Sequence, residues 1–262
     1  MGRADLHIHS LYSYDATTTV RAILRQAQRV GLDVIAITDH DDMRAVAEAQ
    51  RFAPQYGVEV IPAAEVSTRD GHLLALFIHS LPPAGLSLKD TLLQIGRQGG
   101  IAILPHPFNN LPASLRAEAV FEAMADPRVK GVIKGIETDN MGTQALNETV
   151  RKLSVYLPLA KIAASDAHVY WAVGAASTQF PGRTAQDLRQ ALEWNLTTPI
   201  PYQGKFLPKG ILSWLRYIFL RRLGYAVDVR AGHQIDTQPL PRDYLRHLRS
   251  SLSSQPYSKK EH

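Results

Sequence analysis

Short apolar segments alternate with longer amphipathic segments along the first 200 residues of the chain. The short segments are rich in Val, Ile, Leu and Ala, which is typical of strands buried in a parallel sheet. They predict seven strands, at 4–9, 33–38, 58–65, 73–79, 101–106, 131–137 and 161–166. The amphipathic segments predict six helices, at 17–31, 42–56, 87–99, 114–125, 143–156 and 184–195. This alternation predicts an α/β fold.

Two architectures fit the alternation, a closed or nearly closed (β/α) barrel and a doubly wound open sheet. The polar residues favour the barrel, because most of the predicted strands end on a side chain that can bind a metal ion. The carboxyl ends of parallel barrel strands converge on one mouth, where the active sites of such barrels are built. Residues that are far apart in the sequence would therefore meet in one pocket.

The candidate metal ligands are histidines and carboxylates at or just after these strand ends. His7 and His9 lie two residues apart on one strand, so their imidazoles point to the same face. Nine residues form the set: His7, His9, Asp15, His40, Glu65, His79, His106, Asp166 and His168. A single histidine at a strand end is more often a hydrogen-bonded core residue, but burying so many titratable groups without a cation would be very unfavourable. The set therefore predicts a metal site.

Composition narrows the chemistry of this site. The chain has 262 residues, of which 45% are hydrophobic and 20% charged, as in an ordinary globular protein. It has no cysteine, which excludes disulfides, a thiol nucleophile and zinc–thiolate sites. Ligation by His and carboxylates alone suits Mn²⁺, Zn²⁺ or Fe²⁺. The N-terminus has no apolar segment like that of a signal peptide, and no apolar run approaches the roughly 20 residues of a membrane-spanning helix. We expect a cytoplasmic protein.

The net charge of +5 is unevenly distributed, with −2 in residues 1–200 and +7 in residues 201–262. This difference separates residues 1–200, slightly acidic as a metal-binding domain would be, from a short basic C-terminal extension over 201–262. Within the extension, 209–225 predicts a helix that carries apolar residues and three arginines, namely Ile211, Leu212, Leu215, Ile218, Phe219, Leu223, Arg216, Arg221 and Arg222. We expect this helix to pack on the larger domain with its arginines outward; weak contact with RNA or a membrane surface is the alternative. Residues 250–262 are polar and predicted to be disordered.

Five motifs carry a family resemblance. DLHIHSLYSYDA, GLDVIAITDHDD, IPAAEVST, the His-Pro pair at 106–107 and SDAH at 165–168 follow one another between residue 4 and about residue 200. In order and spacing they resemble the polymerase and histidinol phosphatase (PHP) family. The resemblance implies a distorted seven-stranded (β/α)7 barrel, two or three divalent metals (Mn, Zn or Fe), and hydrolysis of phosphate monoesters or diesters.

The resemblance also implies how the ligands are shared. A first metal would be bound by His7, His9, Glu65 and Asp166, a second by Asp15, His40 and His168, and a third by Glu65, His79 and His106. Many relatives have a histidine where this chain has Asp15, so the preferred metal of that site stays open. His72, at the other end of the strand that contains His79, is interpreted as structural.

Several acidic residues near these ligands have open roles. Asp39 and Asp41 flank His40 and would either orient its imidazole or, for Asp41, cap the following helix. Asp42 is favoured as a cap. Glu137 and Asp139, at the end of the sixth strand, match no ligand set and are candidates for orienting a ligand or contacting substrate.

The expected activity is that of a metal-dependent phosphoric ester hydrolase, with a metal-bridging hydroxide as nucleophile. Its substrate would be a nucleotide, an oligonucleotide end or a small phosphorylated metabolite, and no obligate protein partner is expected. Asp166 and His168 are candidates for proton transfer, and Arg69, Arg116 and Lys134 for phosphate binding, although such basic side chains are more often solvated surface charges. The alternatives are a C–N bond hydrolase on a related barrel, which the lack of a lysine at a strand end disfavours, and a non-catalytic metal-binding module.

Overall fold

The computed structural model describes residues 1–109, 113–204, 208–229 and 234–240. The strands are β1 Gly2–Ile8, β2 Val34–Ile37, β3 Glu59–Ile61, β4 Ala63–Thr68, β5 Gly71–Leu76, β6 Ile101–Leu104, β7 Ile133–Asn140, β8 Ala160–Ala164, β9 Ser177–Phe180, β10 Thr198–Ile200, β11 Tyr225–Val229 and β12 Ile235–Pro239. The α-helices are α1 Val20–Val30, α2 Arg44–Phe52, α3 Leu88–Arg97, α4 Ala117–Ala125, α5 Asn147–Ser154, α6 Ala185–Glu193 and α7 Pro208–Arg222. The α/β class predicted from the sequence is confirmed.

Two mixed sheets of five strands each form the centre of the molecule, in the orders β10-β9-β1-β2-β3 and β4-β5-β6-β7-β8. Within the described residues these sheets are not joined into one closed seven-stranded barrel. Single bridges link them at two places, between Ile8 and Ala167 and between His40 and Glu65. Both bridges involve or adjoin predicted metal ligands, so the candidate site lies where the two sheets meet.

Capping residues set the ends of the helices that cover the sheets. Thr19 accepts a hydrogen bond from the Ala22 N–H at the start of α1, and Gly31 ends that helix with a φ of 71°. Ser87 caps α3, and Thr184 forms a reciprocal capping box with Asp187 at α6. These are local signals, which explains why these predicted helices start and end close to their observed positions.

The predicted strand over 58–65 is wrong in its extent, because the chain divides there into β3 and β4. Pro62 separates the two strands, and they belong to different sheets. Proline has no N–H for the hydrogen-bond ladder, so a strand is readily interrupted at that position. The break moves Glu65 into the second sheet, while its backbone still pairs with His40 at the end of the first.

The direction of β5 also differs from the prediction. β4 and β5 are joined by the two-residue turn Arg69–Asp70, with Thr68 paired to Gly71, and β5 is antiparallel to both β4 and β6. A parallel connection needs a crossover of a dozen or more residues, whereas two residues suffice for an antiparallel hairpin. The first residues of β5 therefore lie at the site end of the sheet, and its last residues point away from it.

The described part of the extension packs on the loop between β1 and α1. β11 and β12 form an antiparallel hairpin. The Val227 N–H donates to the Thr17 carbonyl at 2.8 Å, and the Thr19 N–H donates to the Val227 carbonyl at 3.0 Å. The Thr19 hydroxyl donates to Asp228 at 2.8 Å. The extension is thus attached to the segment that carries Asp15.

The orientation expected for α7 holds for Arg216 and Arg222, which are exposed, but it is wrong for Arg221, which is buried with 4% exposure. Four apolar residues in or just after the helix face outward, namely Leu212, Leu215, Phe219 and Leu223. The side chain of Ile211 and the whole of 250–262 lie outside the described residues. Within the described part of the chain, every helix is too short or too polar to cross a bilayer.

Candidate metal centre

Glu65 lies at the centre of a cluster of imidazoles. It comes from β4, and its side chain is 1% exposed. Its Oε2 lies 3.1 Å from His7 Nε2, 3.2 Å from His9 Nε2 and 3.3 Å from His40 Nδ1, and its Oε1 lies 2.9 Å from His72 Nδ1 and 3.4 Å from His106 Nε2. One buried carboxylate therefore contacts five ring nitrogens.

Asp166 provides a second carboxylate, next to the histidines of β1. Its Oδ1 lies 3.4 Å from both His7 Nε2 and His9 Nε2. The residue follows β8 and has a φ of 51°, in the left-handed region that non-glycine residues seldom adopt. Asn140, the last residue of β7, donates to Asp166 Oδ2 at 3.3 Å. This strained turn directs the carboxylate towards the imidazoles.

Asp15 provides the third carboxylate, from the loop after β1. Its Oδ2 lies 3.1 Å from His168 Nε2 and 3.3 Å from His40 Nε2. The ring of His168 stacks on that of His9 with centroids 4.3 Å apart. Residues that are 153 positions apart in the sequence, Asp15 and His168, thus meet at the mouth of the fold.

The charges in this cluster compensate each other. Burial raises the pKa of Glu65, but His7 and His40 hold that pKa well below its usual value; Asp166 behaves in the same way, with His7 as its main partner. Burial lowers the pKa of His9, but the adjacent carboxylates of Asp166 and Glu65 raise it to about 10. Without a metal, the carboxylates are therefore ionised, and protonated imidazoles supply the compensating positive charge.

These residues fit a cation site because several of their nitrogen and oxygen atoms are buried without a hydrogen-bond partner. Among the described residues, three buried atoms of the cluster have no hydrogen-bond partner, namely His9 Nε2, His40 Nδ1 and Asp15 Oδ1. The first two lie close to Glu65 but without hydrogen-bond geometry. Buried polar atoms are almost always partnered, so atoms of this kind that face one centre favour a metal. Four overlapping groups have ligand atoms within 4.8 Å of one another: His9/Asp15/His40/His168, His7/His9/Asp166, His7/Glu65/His106 and His40/Glu65/His72.

Glu137, whose role the sequence left open, contacts His7 on the side of the ring away from Glu65. It is 1% exposed, and its Oε1 lies 2.8 Å from His7 Nδ1. Its Oε2 accepts hydrogen bonds from the His106 N–H and from Asn140 Nδ2, both at 2.9 Å. Histidines that bind metals usually have their other ring nitrogen held in this way. Asp139, by contrast, pairs with Arg151.

The aspartates around His40 hydrogen-bond to neighbouring segments and not to the His40 ring. Asp39 accepts from the N–H and the hydroxyl of Ser10, both at 2.6 Å. Asp41 accepts from the Ser67 N–H at 2.8 Å. Asp42 accepts from the Arg44 N–H at 2.8 Å, at the first residue of α2. Asp42 thus binds the first amide of α2 from one residue before the N-cap position, which Met43 occupies without a side-chain cap hydrogen bond.

Ser13 is a site residue that sequence reasoning missed. Its hydroxyl lies 2.8 Å from His9 Nδ1 and accepts a hydrogen bond from the His40 N–H at 3.0 Å. It therefore holds a ring of one histidine and the backbone of another. Its position two residues before Asp15 was the one available signal, and a serine in a loop has many other uses.

The structure corrects the prediction for His79. The His79 side chain is exposed after β5, and its backbone N–H donates to Gln98 Oε1 at 2.8 Å. His72, which the sequence analysis interpreted as structural, takes the expected place 2.9 Å from Glu65. The reason is the antiparallel direction of β5, which brings the start of that strand to the cluster.

The three candidate phosphate-binding residues occupy different places. Arg69, in the β4–β5 turn, and Arg116, just before α4, are exposed and belong to segments that adjoin His72, whose N–H donates to the Ala113 carbonyl at 2.8 Å. Lys134 is the second residue of β7, at the opposite end from Asn140. It lines a cavity of about 400 Å³ together with Lys130. Its position separates it from the cluster.

The fold and the site together define the class of protein. It is an α/β protein whose strand ends bring together imidazoles and carboxylates suited to binding divalent metals. A family model described as the PHP domain matches residues 5–150, and one described as PHP-associated matches 144–194. The chain belongs to the PHP family. The family predicted from the motifs is therefore confirmed, and with it the enzyme class, a metal-dependent phosphoric ester hydrolase.

Similar proteins agree with this assignment. An uncharacterized protein of Methanocaldococcus jannaschii is 33% identical over 168 residues, which are 58% of this chain and 93% of that protein. A 3′,5′-nucleoside bisphosphate phosphatase of Chromobacterium violaceum is 35% identical over 111 residues, 39% of either chain. A two-domain Bacteroides vulgatus protein containing a PHP-like metal-dependent phosphoesterase superimposes with a TM-score of 0.65 at 20% identity, covering 87% of this chain and 71% of that one. At that identity the likeness supports the fold.

Proposed function

We propose that this PHP-family enzyme hydrolyses the phosphate ester of a nucleotide, an oligonucleotide end or another small phosphorylated compound. The observation that carries the proposal is the position of Glu65, whose two oxygens lie among five imidazoles, with Asp15 and Asp166 beside them. The similar protein of Chromobacterium violaceum is a 3′,5′-nucleoside bisphosphate phosphatase, which supports a nucleoside phosphate as the first substrate to test.

We propose three groups of ligands, which the contacts among these side chains support. The first comprises His7, His9, Glu65 and Asp166, the second Asp15, His40 and His168, and the third Glu65, His72 and His106. This is the predicted arrangement with His72 in place of His79. Bound divalent cations of this kind lower the pKa of coordinated water towards neutrality and neutralise charge on phosphoryl oxygens.

The ring nitrogens are assigned by their partners. Nδ1 of His7 faces Glu137, Nδ1 of His9 faces Ser13, and Nδ1 of His168 faces the Asp166 carbonyl at 2.9 Å. In each ring Nε2 is left facing the cluster, which is the arrangement a metal ligand needs. These contacts orient the three rings with Nε2 towards the proposed cations.

Asp166 and His168 are proposed to handle a proton as the leaving group departs, because both lie at the rim of the cluster and not behind it. Their side chains are 14% and 24% exposed, whereas those of His7 and Glu65 are 0% and 1% exposed. Arg69 and Arg116 are proposed to hold a substrate phosphate beside His72. Lys134 does not enter this proposal.

The first test combines metal analysis with a substrate panel. Purified protein should contain two or three divalent ions per chain and hydrolyse an aryl phosphate or a nucleoside bisphosphate. Chelation should remove the activity, and Mn²⁺ or Zn²⁺ should restore it. Metal uptake at pH 7 should also release protons, because the raised pKa of His9, about 10, means that its ring is protonated in the metal-free protein.

The outcomes separate the alternatives. Metal-loaded protein that leaves phosphate monoesters and diesters intact but cleaves amides or cyclic ureas would favour the C–N hydrolase. Metal-loaded protein that is inert in both panels would favour a non-catalytic metal-binding module.

We also infer that the two sheets are parts of one distorted seven-stranded barrel, formed by β1, β2 and β4 to β8. The bridges Ile8–Ala167 and His40–Glu65 support this, because they connect β1 to the segment after β8 and the segment after β2 to β4. Residues 1–200 would form this domain, and 201–262 its basic extension.

The outward face of α7 is proposed to bind an anionic membrane surface. Leu212, Leu215 and Phe219 follow the i, i+3, i+7 pattern of one helix face and are 69%, 51% and 61% exposed. Arg216 and Arg222 are exposed on the two sides of this apolar face. Cations on both sides of an apolar helix face are typical of helices that bind anionic lipid, so these charges favour an anionic membrane surface.

Vesicle flotation tests this contact. The full chain should float with vesicles that contain phosphatidylglycerol and much less with phosphatidylcholine alone, and F219S should float less than wild type. Equal floating of F219S, or concentration-dependent dimers without any floating, would contradict the proposal.

A further inference from the structure

The basic extension contacts the metal centre through the loop that carries Asp15. Leu11 of that loop forms a small buried cluster with Ala226 of β11 and with Leu240. The loop is closed on itself by the Leu11 N–H, which donates to the Thr18 carbonyl at 2.8 Å. Residues 11–18 therefore form a compact turn with the extension on one side and the histidines on the other.

Arg221 of α7 enters this turn from the side of the extension. Its guanidinium is buried, and Nη1 donates to the carbonyl oxygens of Leu11, at 3.2 Å, and of Ala16. Burial lowers the pKa of Arg221 to about 10, while the charges of Asp15 and Asp39 act in the opposite direction. The side chain is therefore still a cation at neutral pH.

A buried cation at this position needs an explanation, because removing a guanidinium from water is costly unless it is well partnered. A hydrophobic side chain would fill the same space at the base of α7. The two carbonyls that Arg221 joins are five residues apart and enclose Ser13 and Asp15. By binding both carbonyls, the Arg221 guanidinium holds the two ends of the loop that carries Asp15 together.

The enclosed residues are the ones that reach the cluster. Asp15 Oδ2 lies 3.1 Å from His168 Nε2 and 3.3 Å from His40 Nε2. Ser13 Oγ contacts His9 Nδ1 at 2.8 Å. If the two carbonyls separated, the Asp15 carboxylate would move relative to both imidazoles.

We propose that Arg221 is a positioning residue for Asp15, so that the C-terminal extension completes the metal group Asp15/His40/His168. The proposal rests on the function proposed above for its role in turnover, but its effect on metal binding is independent of the substrate. Loss of residues that orient ligands commonly weakens metal affinity or activity by about 10- to 100-fold.

The test compares R221M with R97M, a change at an exposed arginine in the last turn of α3, in the full-length protein. Titration with Mn²⁺ or Zn²⁺ should show one class of ion bound about 10- to 100-fold more weakly in R221M, with the remaining ions unchanged. R97M should match wild type. R221K, which keeps the charge but offers fewer donors, should lie between wild type and R221M.

A double-variant comparison separates positioning from general destabilisation. D15N alone should weaken the same ion, and R221M combined with D15N should be little worse than D15N, because both changes act on one ligand. Wild-type metal binding in R221M, or losses that multiply in the double variant, would overturn the proposal. Should R221M not fold, R221K is judged by the same two criteria. If the protein does not hydrolyse phosphate esters but R221M and D15N weaken metal binding as expected, the proposed function is refuted and this inference is not.

Discussion

Glu65→Gln is expected to reduce turnover of any phosphate ester by about a thousandfold, the loss of roughly 4 kcal/mol of transition-state stabilisation. The carboxylate is central to two of the proposed ligand groups, and both of its oxygens are within 3.4 Å of ring nitrogens. Glutamine keeps the size but removes the charge and one acceptor. Steady-state kinetics and metal content of the same preparation measure the effect.

The matched control is Glu193→Gln, at the exposed end of α6, where the carboxylate pairs with Arg189. It should leave both metal content and kcat within about twofold of wild type, as surface ion pairs contribute little. E65Q that retained its metals and most of its activity would contradict the bridging role of Glu65 and, with it, the proposed ligand groups.

His72→Ala and His79→Ala form the second test, since the two residues lie at opposite ends of one segment. H72A is expected to lose about 100-fold in activity and to bind its third ion more weakly, because His72 Nδ1 lies 2.9 Å from Glu65 Oε1. H79A should behave as wild type, because the His79 side chain is exposed outside the cluster.

Metal titration and kinetics of the two variants side by side give the answer. A loss in H79A with no loss in H72A would mean that β5 runs in the direction predicted from the sequence. Equal losses in both would point to a general effect on folding, which thermal unfolding of each variant would reveal.

Several features of the fold follow from local sequence alone. The His-x-His spacing of β1 places His7 and His9 on one face because side chains alternate along a strand. Thr19 and Gly31 set the ends of α1 through hydrogen bonds within a few residues of each other. Such features need no knowledge of distant neighbours, and the sequence predicted them.

The direction of β5 is a case where a local signal existed but was outweighed. Apolar periodicity is the same for a strand read in either direction, so 73–79 was assigned to the parallel pattern of its neighbours. Asp70-Gly71 between two apolar runs is a hairpin signal. A hairpin at this place makes β5 antiparallel, and the predicted ligand on that strand would then have been His72 and not His79. Pro62 similarly marked the division between β3 and β4.

The sequence by itself determined the family, the absence of thiol chemistry and the histidines and carboxylates at the strand ends, because these depend on residue identity and short spacings. Tertiary structure alone decided that Glu137 supports His7 from 130 positions away and that Arg221 is buried against the loop of Asp15. Both depend on which elements become neighbours when the sheets and the extension pack. That choice is made by the burial of surfaces across the whole chain, and no local pattern of apolar and polar residues encodes it.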